Sequence, residues 1–314
     1  MNQSAHPTRG TLAAAVAAAQ ASILETQPKA VLLGECVGRM GGAWGTSQGL
    51  AETFGPNRVM DLPLTEGGML GYAIGMAMGG ARPIVEISGP DRIPALMAQL
   101  QLELASMQQR SHGELGLPLI LRVPSGASYG RGPYLQSSPA GTLSSIEGLI
   151  VASPASPADA ASMLLGASQL QQPVVILEPA GLYGAQGAYT LEAGELKGAQ
   201  RVREGSDVTI LAWGGAVVQA LSAAETCWQE GFDVEVIDLR VLQPLDLDTI
   251  GATLARTGRV VLATDGVCPG SDNLLSQVTQ QAFLHLEAPP KTVSLSSPAD
   301  VDFLIQTALE SANY

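Results

Sequence analysis

The chain has 314 residues, of which 46% are hydrophobic and only 14% charged, with 29 acidic side chains against 16 basic ones and a formal net charge of −13. Such a length holds two domains with separate cores, while so few charges leave little to solvate a large free surface, so burial against partner chains is expected. The acidic balance lacks the basic footprint of a nucleic-acid binder, and no apolar run is long enough to cross a bilayer.

The stretch after Thr11, LAAAVAAAQASILE, reads as a helix and not as a secretory segment, because Gln20 and Ser22 interrupt it and no strongly basic leader precedes it. Cys36, Cys227 and Cys268 lie far apart without metal-ligand spacing, which fits small buried residues in a reducing, cytoplasmic setting.

Strands and helices then alternate. AVLLGE from Ala30 is a short apolar strand running into a Gly-rich loop and helix (34–55), and RVMDLPL from Arg58 is the next strand. A helix rich in small residues starts at Glu66, a strand at Arg82, a helix spans 94–109, and a strand begins at Leu117. LIVASP from Leu149, a helix from Pro157 to Gln169 and PVVILEP from Pro173 close a first domain. The pattern weakens over 182–204 and resumes with strands at Asp207, Asp233, Arg259 and Lys291, separated by helices at 216–230, from Asp246, and at 272–286. Continuous apolar strands alternating with helices predict an α/β protein of two three-layer αβα domains with mostly parallel sheets. The boundaries read as 1–190, a linker at 191–204, and 205–314.

A series of runs carries a family likeness: GECVG from Gly34, GLAETFG from Gly49, DLPLTEGG from Asp61, RPIVEI from Arg82, RVPSG from Arg122, GLIVASPASPADA from Gly148, PVVILEP from Pro173, REGSDVTI from Arg203, VIDLRVLQPLD from Val236 and TGRVV from Thr257. In this order the chain resembles the β subunit of the decarboxylating component of 2-oxo acid dehydrogenases (pyruvate, branched-chain and acetoin types), of the transketolase-like superfamily. The resemblance implies a pyrimidine-binding transketolase-like domain followed by a smaller C-terminal transketolase-like domain. It also implies thiamine diphosphate shared with a partner α subunit in an α₂β₂ heterotetramer, the partner holding the diphosphate and Mg²⁺. No GDG…N diphosphate pattern occurs in this chain, which itself is assigned no metal site.

By the same resemblance, Glu66 is the catalytic carboxyl that hydrogen-bonds N1′ of the cofactor's aminopyrimidine. The 4′-imino form that deprotonates the thiazolium needs N1′ protonated, and a carboxyl in an apolar cleft has its pKa raised toward that task. Leu62, Pro63, Leu64, Met69 and Leu70 flank the acid and suggest burial. Its position alone favours the other reading, an acid that caps the helix beginning there. Leu64 would line the ring, Ser88 takes the place of a longer residue that approaches the cofactor, and Arg92 stands where the family has a stacking aromatic. A guanidinium also stacks on planar rings, and the other reading has Arg92 facing solvent or the partner.

The family's loop histidine falls on Leu135, and Gln136, Ser137 and Ser138 are the polar groups left to hold a water or substrate. The family's His-Glu pair is replaced by Thr264-Asp265, and His112 reads as a loop histidine that either stays in solvent or approaches the site. Loss of a general acid/base lowers rates by roughly 10²–10⁴, so a reaction divergent from lipoyl-linked pyruvate dehydrogenase, with an acceptor other than a standard lipoyl domain, enters the reading. The expectation is a two-subunit enzyme that decarboxylates or cleaves a 2-oxo acid or ketose and transfers a two-carbon unit, with an acyl carrier protein or a lipoyl domain as acceptor. The alternatives are a non-catalytic structural or regulatory subunit of such a complex, and the C-terminal half of a split transketolase.

Overall fold

The computed structural model describes residues 7–126, 132, 136–297 and 300–313. They form two compact units, one built from the chain up to Pro124 with Ile146–Glu178 and Leu182–Leu196, the other from Ser125–Ser145, Pro179–Gly181 and Lys197 onward. Both are α/β with mainly parallel strands, as the alternation predicts.

The first unit opens with β1 (Thr8–Thr11) and α1 (Leu12–Thr26). Thr11 caps the helix, its Oγ1 accepting from the Ala14 N–H at 3.0 Å, which is why the Ala-rich stretch starts where it does. Then come β2 (Ala30–Gly34), α2 (Leu50–Phe54), β3 (Val59–Asp61), α3 (Glu66–Met78) and β4 (Arg82–Glu86). The segment read as one helix over 94–109 is instead α4 (Ile93–Ala98), a π-helical stretch Gln99–Ala105 and the short α5 (Met107–Arg110). Within the π turn the side-chain amide of Gln99 donates to the Gly67 carbonyl at 3.0 Å and so ties it to the first turn of α3.

β5 (Ile120–Ser125) follows, then the short α6 (Ala140–Leu143) of the second unit, β6 (Ile150–Ala152), α7 (Pro157–Ala167) and β7 (Val174–Pro179). Pairing is parallel between β2 and β3, β2 and β4, β4 and β5, and β6 and β7. The strands of this unit lie in the order β6-β7-β5-β4-β2-β3. β1 pairs antiparallel with β8 (Gln186–Tyr189), a small ribbon the sequence reading lacked.

The second unit contains β9 (Gln200–Arg203), β10 (Val208–Ala212), α8 (Gly215–Gln229), β11 (Val234–Asp238), β12 (Val241–Gln243), α9 (Leu247–Thr257), β13 (Val260–Asp265), α10 (Ser271–Ala282), β14 (Lys291–Leu295) and α11 (Asp300–Ala312). Its sheet runs β14-β13-β10-β11-β9, with β9 antiparallel. The stretch taken as a linker is therefore not featureless. Its last residues close a sheet edge, where an alternating polar strand needs no apolar run. Residues 136–145, read with the first domain, pack with the second unit, since Ser137 bridges Val267 and the Ser138 N–H donates to the Val267 carbonyl at 2.8 Å.

Three strands of the first unit carry one charge each into the interior. Arg122 on β5, 1% exposed, forks onto Glu178 of β7 with Nε–Oε1 and Nη2–Oε2 both 2.7 Å, and its Nη1 donates to Glu86 of β4 at 2.8 Å and to Gln20 of α1 at 3.2 Å. Burial works against this charge, but the Glu178 and Glu86 carboxylates outweigh it and raise the guanidinium pKa above the ordinary arginine value. Thr46 donates to Glu86 at 2.9 Å, and the Tyr183 hydroxyl donates to Glu178 at 2.6 Å and stacks its ring on Trp44 at 5.2 Å. Burial, then the Glu178 charge, push that phenol's pKa well up. Gly42 completes the seat of the 36–49 loop. It has φ +76°, and a Cβ there would lie 2.7 Å from Glu86 Oε1, so only glycine fits.

Removing Arg122 leaves two interior carboxylates unpaired. Arg122→Met should lower unfolding stability by about 3–5 kcal/mol, read as a shift in the denaturant midpoint, and should do so more than Arg39→Met, whose side chain is 79% exposed beside Asp61.

Candidate functional site

β3 ends at Asp61, and α3 begins five residues later, at Glu66. β4 ends at Glu86, and two residues on comes Ser88, before the turn Pro90–Arg92. The carboxyl ends of β3 and β4, parallel strands on either side of β2, thus deliver Glu66, Ser88 and Arg92 to one place, the usual location of sites in sheets of this kind. Ser88 Oγ donates to Glu66 Oε1 at 2.8 Å, and Arg92 Nε lies 3.5 Å from the same oxygen and 3.3 Å from Asp91 Oδ2. Glu66 is 8% exposed. Although it occupies the first position of α3, its carboxylate engages Ser88 and Arg92 and not the amides of its own helix, so a cap alone does not describe it.

The surroundings differ from the expected apolar cleft. Met69 and Leu70 are buried, but Pro63 is exposed and Leu64 is 47% exposed. The run ahead of the acid faces outward, and the contacts of the acid itself are with Ser88 and Arg92. Arg92 itself is half exposed, with its guanidinium turned to two carboxylates. Loop residue His112 is exposed, at φ 52°.

Leu135 lies outside the described residues. Gln136 and Ser137, both partly exposed, belong to the second unit beside Val267. Next to them Cys268 Sγ accepts from the Gly141 N–H at 3.2 Å. Burial drives this thiol up to about 11, against the opposing effect of the Gly141 and Ser138 hydrogen bonds. Asp265, at the end of β13, is buried and accepts from the Gly215 N–H at the start of α8 at 3.1 Å.

The Arg122–Glu86–Glu178 cluster was not anticipated as a unit. Its signal in the sequence is a charged residue, Glu86, Arg122 or Glu178, within each of three largely apolar strand runs. Opposite charges on strands that are buried on both faces have only one another for partners.

Comparison with known proteins matches residues 10–186 to the transketolase pyrimidine-binding domain and residues 197–309 to the transketolase C-terminal domain. The pyruvate dehydrogenase E1 component subunit beta of Leifsonia xyli is 38% identical over 85% of this chain and 80% of its own length. The chain belongs to the E1 β-subunit family of 2-oxo acid dehydrogenases. The 2-oxoisovalerate dehydrogenase subunit beta of Pseudomonas aeruginosa is 34% identical over 91% of this chain and 87% of its own. Among solved structures, a split-gene transketolase described as an inactive β4 tetramer superposes with a TM-score of 0.74 at 21% identity, covering 96% of this chain and 99% of that one, a likeness of fold. This E1 β-type chain sits in a thiamine-diphosphate-dependent family, and none of its helices is long and apolar enough to cross a membrane among the described residues.

The residues present fit the ring half of that cofactor. A nearly buried carboxylate retains one oxygen, Oε2, without a protein partner among the described residues, and such an acceptor needs a donor from a ligand or water.

The Cys268 environment makes its own prediction. With its thiol neutral at pH 8, maleimide labelling of the folded chain should leave Cys268 unmodified, and unfolding in denaturant should expose it to full modification, as read by peptide mass spectrometry.

Proposed function

We propose that this E1 β-type chain forms the pyrimidine-binding half of a two-subunit enzyme, with an α subunit holding the diphosphate and Mg²⁺ in an α₂β₂ heterotetramer. The complex decarboxylates or cleaves a 2-oxo acid or ketose and passes a two-carbon unit to an acceptor, a lipoyl domain or an acyl carrier protein. The observation that carries this reading is the sheltered Glu66 carboxylate with one oxygen left over.

Bound thiamine diphosphate supplies a thiazolium carbon that becomes nucleophilic when its aminopyrimidine is protonated at N1′. Glu66 is the group in this chain that holds a proton at that nitrogen. Ser88 keeps the carboxylate from rotating by engaging Oε1. Leu64, two residues before the acid and largely exposed, offers an apolar side chain to lie along the ring and keep water from its edge. Gln136 and Ser137 offer hydrogen bonds to a donor substrate in place of the imidazole that Leu135 lacks.

Co-expression with the subunit bearing the diphosphate motif, followed by 2-oxo acid decarboxylation with an artificial electron acceptor, tests the proposal. Glu66→Gln should lower the rate by roughly 10²–10⁴ while leaving assembly of the complex unchanged. A complex that assembles yet shows no thiamine-diphosphate-dependent turnover with 2-oxo acids or ketoses would instead identify a non-catalytic subunit.

A further inference from the structure

The two oxygens of Glu66 are treated differently by the protein. Oε1 accepts from Ser88 Oγ at 2.8 Å and lies 3.5 Å from Arg92 Nε, whereas Oε2 has no protein partner among the described residues. The same Arg92 Nε also lies 3.3 Å from Asp91 Oδ2, on a turn opened by Pro90. Its guanidinium edge is thus engaged by two carboxylates. That arrangement differs from a guanidinium presenting its face to a ring, and it differs from a side chain in free solvent. An ion pair with one partner 47% exposed adds little stability by itself. Its effect here is geometric: a hydroxyl donor at 2.8 Å and a cation 3.5 Å away, both at Oε1, favour one orientation of the carboxylate and leave the second oxygen for something else.

We propose that Arg92 is a positioning residue for Glu66, locking Oε1 together with Ser88 and reserving Oε2 for the ring nitrogen of the cofactor's pyrimidine. This rests on the role given to Glu66 above, and the test keeps the two apart. The complex with the diphosphate-binding subunit is titrated calorimetrically with thiamine diphosphate and with the analogue in which N1′ is replaced by C–H, both in the presence of Mg²⁺. Wild type should prefer thiamine diphosphate. Arg92→Gln should lose roughly fivefold in affinity for thiamine diphosphate and nothing for the analogue, which has no nitrogen for Oε2 to meet. Arg92→Lys should recover part of the loss, because it restores the charge without the planar fork. Equal loss for both ligands would overturn the proposal in favour of stacking or a purely structural role, and no loss for either would overturn it outright. If wild type fails to distinguish the two ligands, or binds neither, the role of Glu66 itself falls, and that of Arg92 with it.

Discussion

Arg122 keeps a full charge in the interior of the first unit at 1% exposure, which a protein tolerates only when the charge is paired and its donors are used. Here the fork meets Glu178 squarely, and the remaining nitrogen reaches Glu86 and Gln20. The pairing constrains more than one contact. It demands that β4, β5 and β7 stand side by side in one register, with α1 and the 36–49 loop close enough to supply Gln20 and Thr46. Because Glu86 is the last residue of β4, the same clamp fixes the strand end from which Ser88 and Arg92 reach Glu66. Replacing the cluster by packed apolar side chains would hold the sheet together as well or better. It would not aim that strand end.

Much of the architecture could be read from the sequence because its signals are local. Apolar runs such as AVLLG and VVILEP are buried along their whole length, and Thr11, Ser156 and Asp246 cap helices where polar residues precede apolar periodicity. The elements that escaped are those without such signals. β8 and β9 are short, mostly exposed strands of polar and small residues, defined by their partners and not by their own pattern. The π turn at Gln99–Ala105 has the composition of an ordinary helix, and only its packing beside α3 distinguishes it.

The candidate site was legible residue by residue and illegible as an arrangement. Glu66, Ser88 and Arg92 each stand at a position the family likeness marks, yet nothing in sequence spacing says that two residues after β4 meet one oxygen of a residue on the helix after β3. The expected apolar shelter reversed for a simple reason. Pro63 and Leu64 belong to a connection running over the surface, while Met69 and Leu70 are buried on α3 and the acid itself meets Ser88 and Arg92. The chain therefore keeps Glu66 in a more polar setting than its flanking residues suggest, with the Arg92 cation close to it.

The stack of Trp44 on Tyr183 has a practical corollary. The chain holds three tryptophans, and they occupy distinct settings: Trp44 on a loop seated over the Arg122 cluster, Trp213 in the interior of the second unit, and Trp228 largely open to water near the Arg203 guanidinium. Lifting the 36–49 loop off its seat would unstack the first ring without disturbing the other two. Intrinsic fluorescence of variants retaining a single indole would therefore watch each half of the molecule separately, with the Trp44 signal reporting on the loop beside the buried charges.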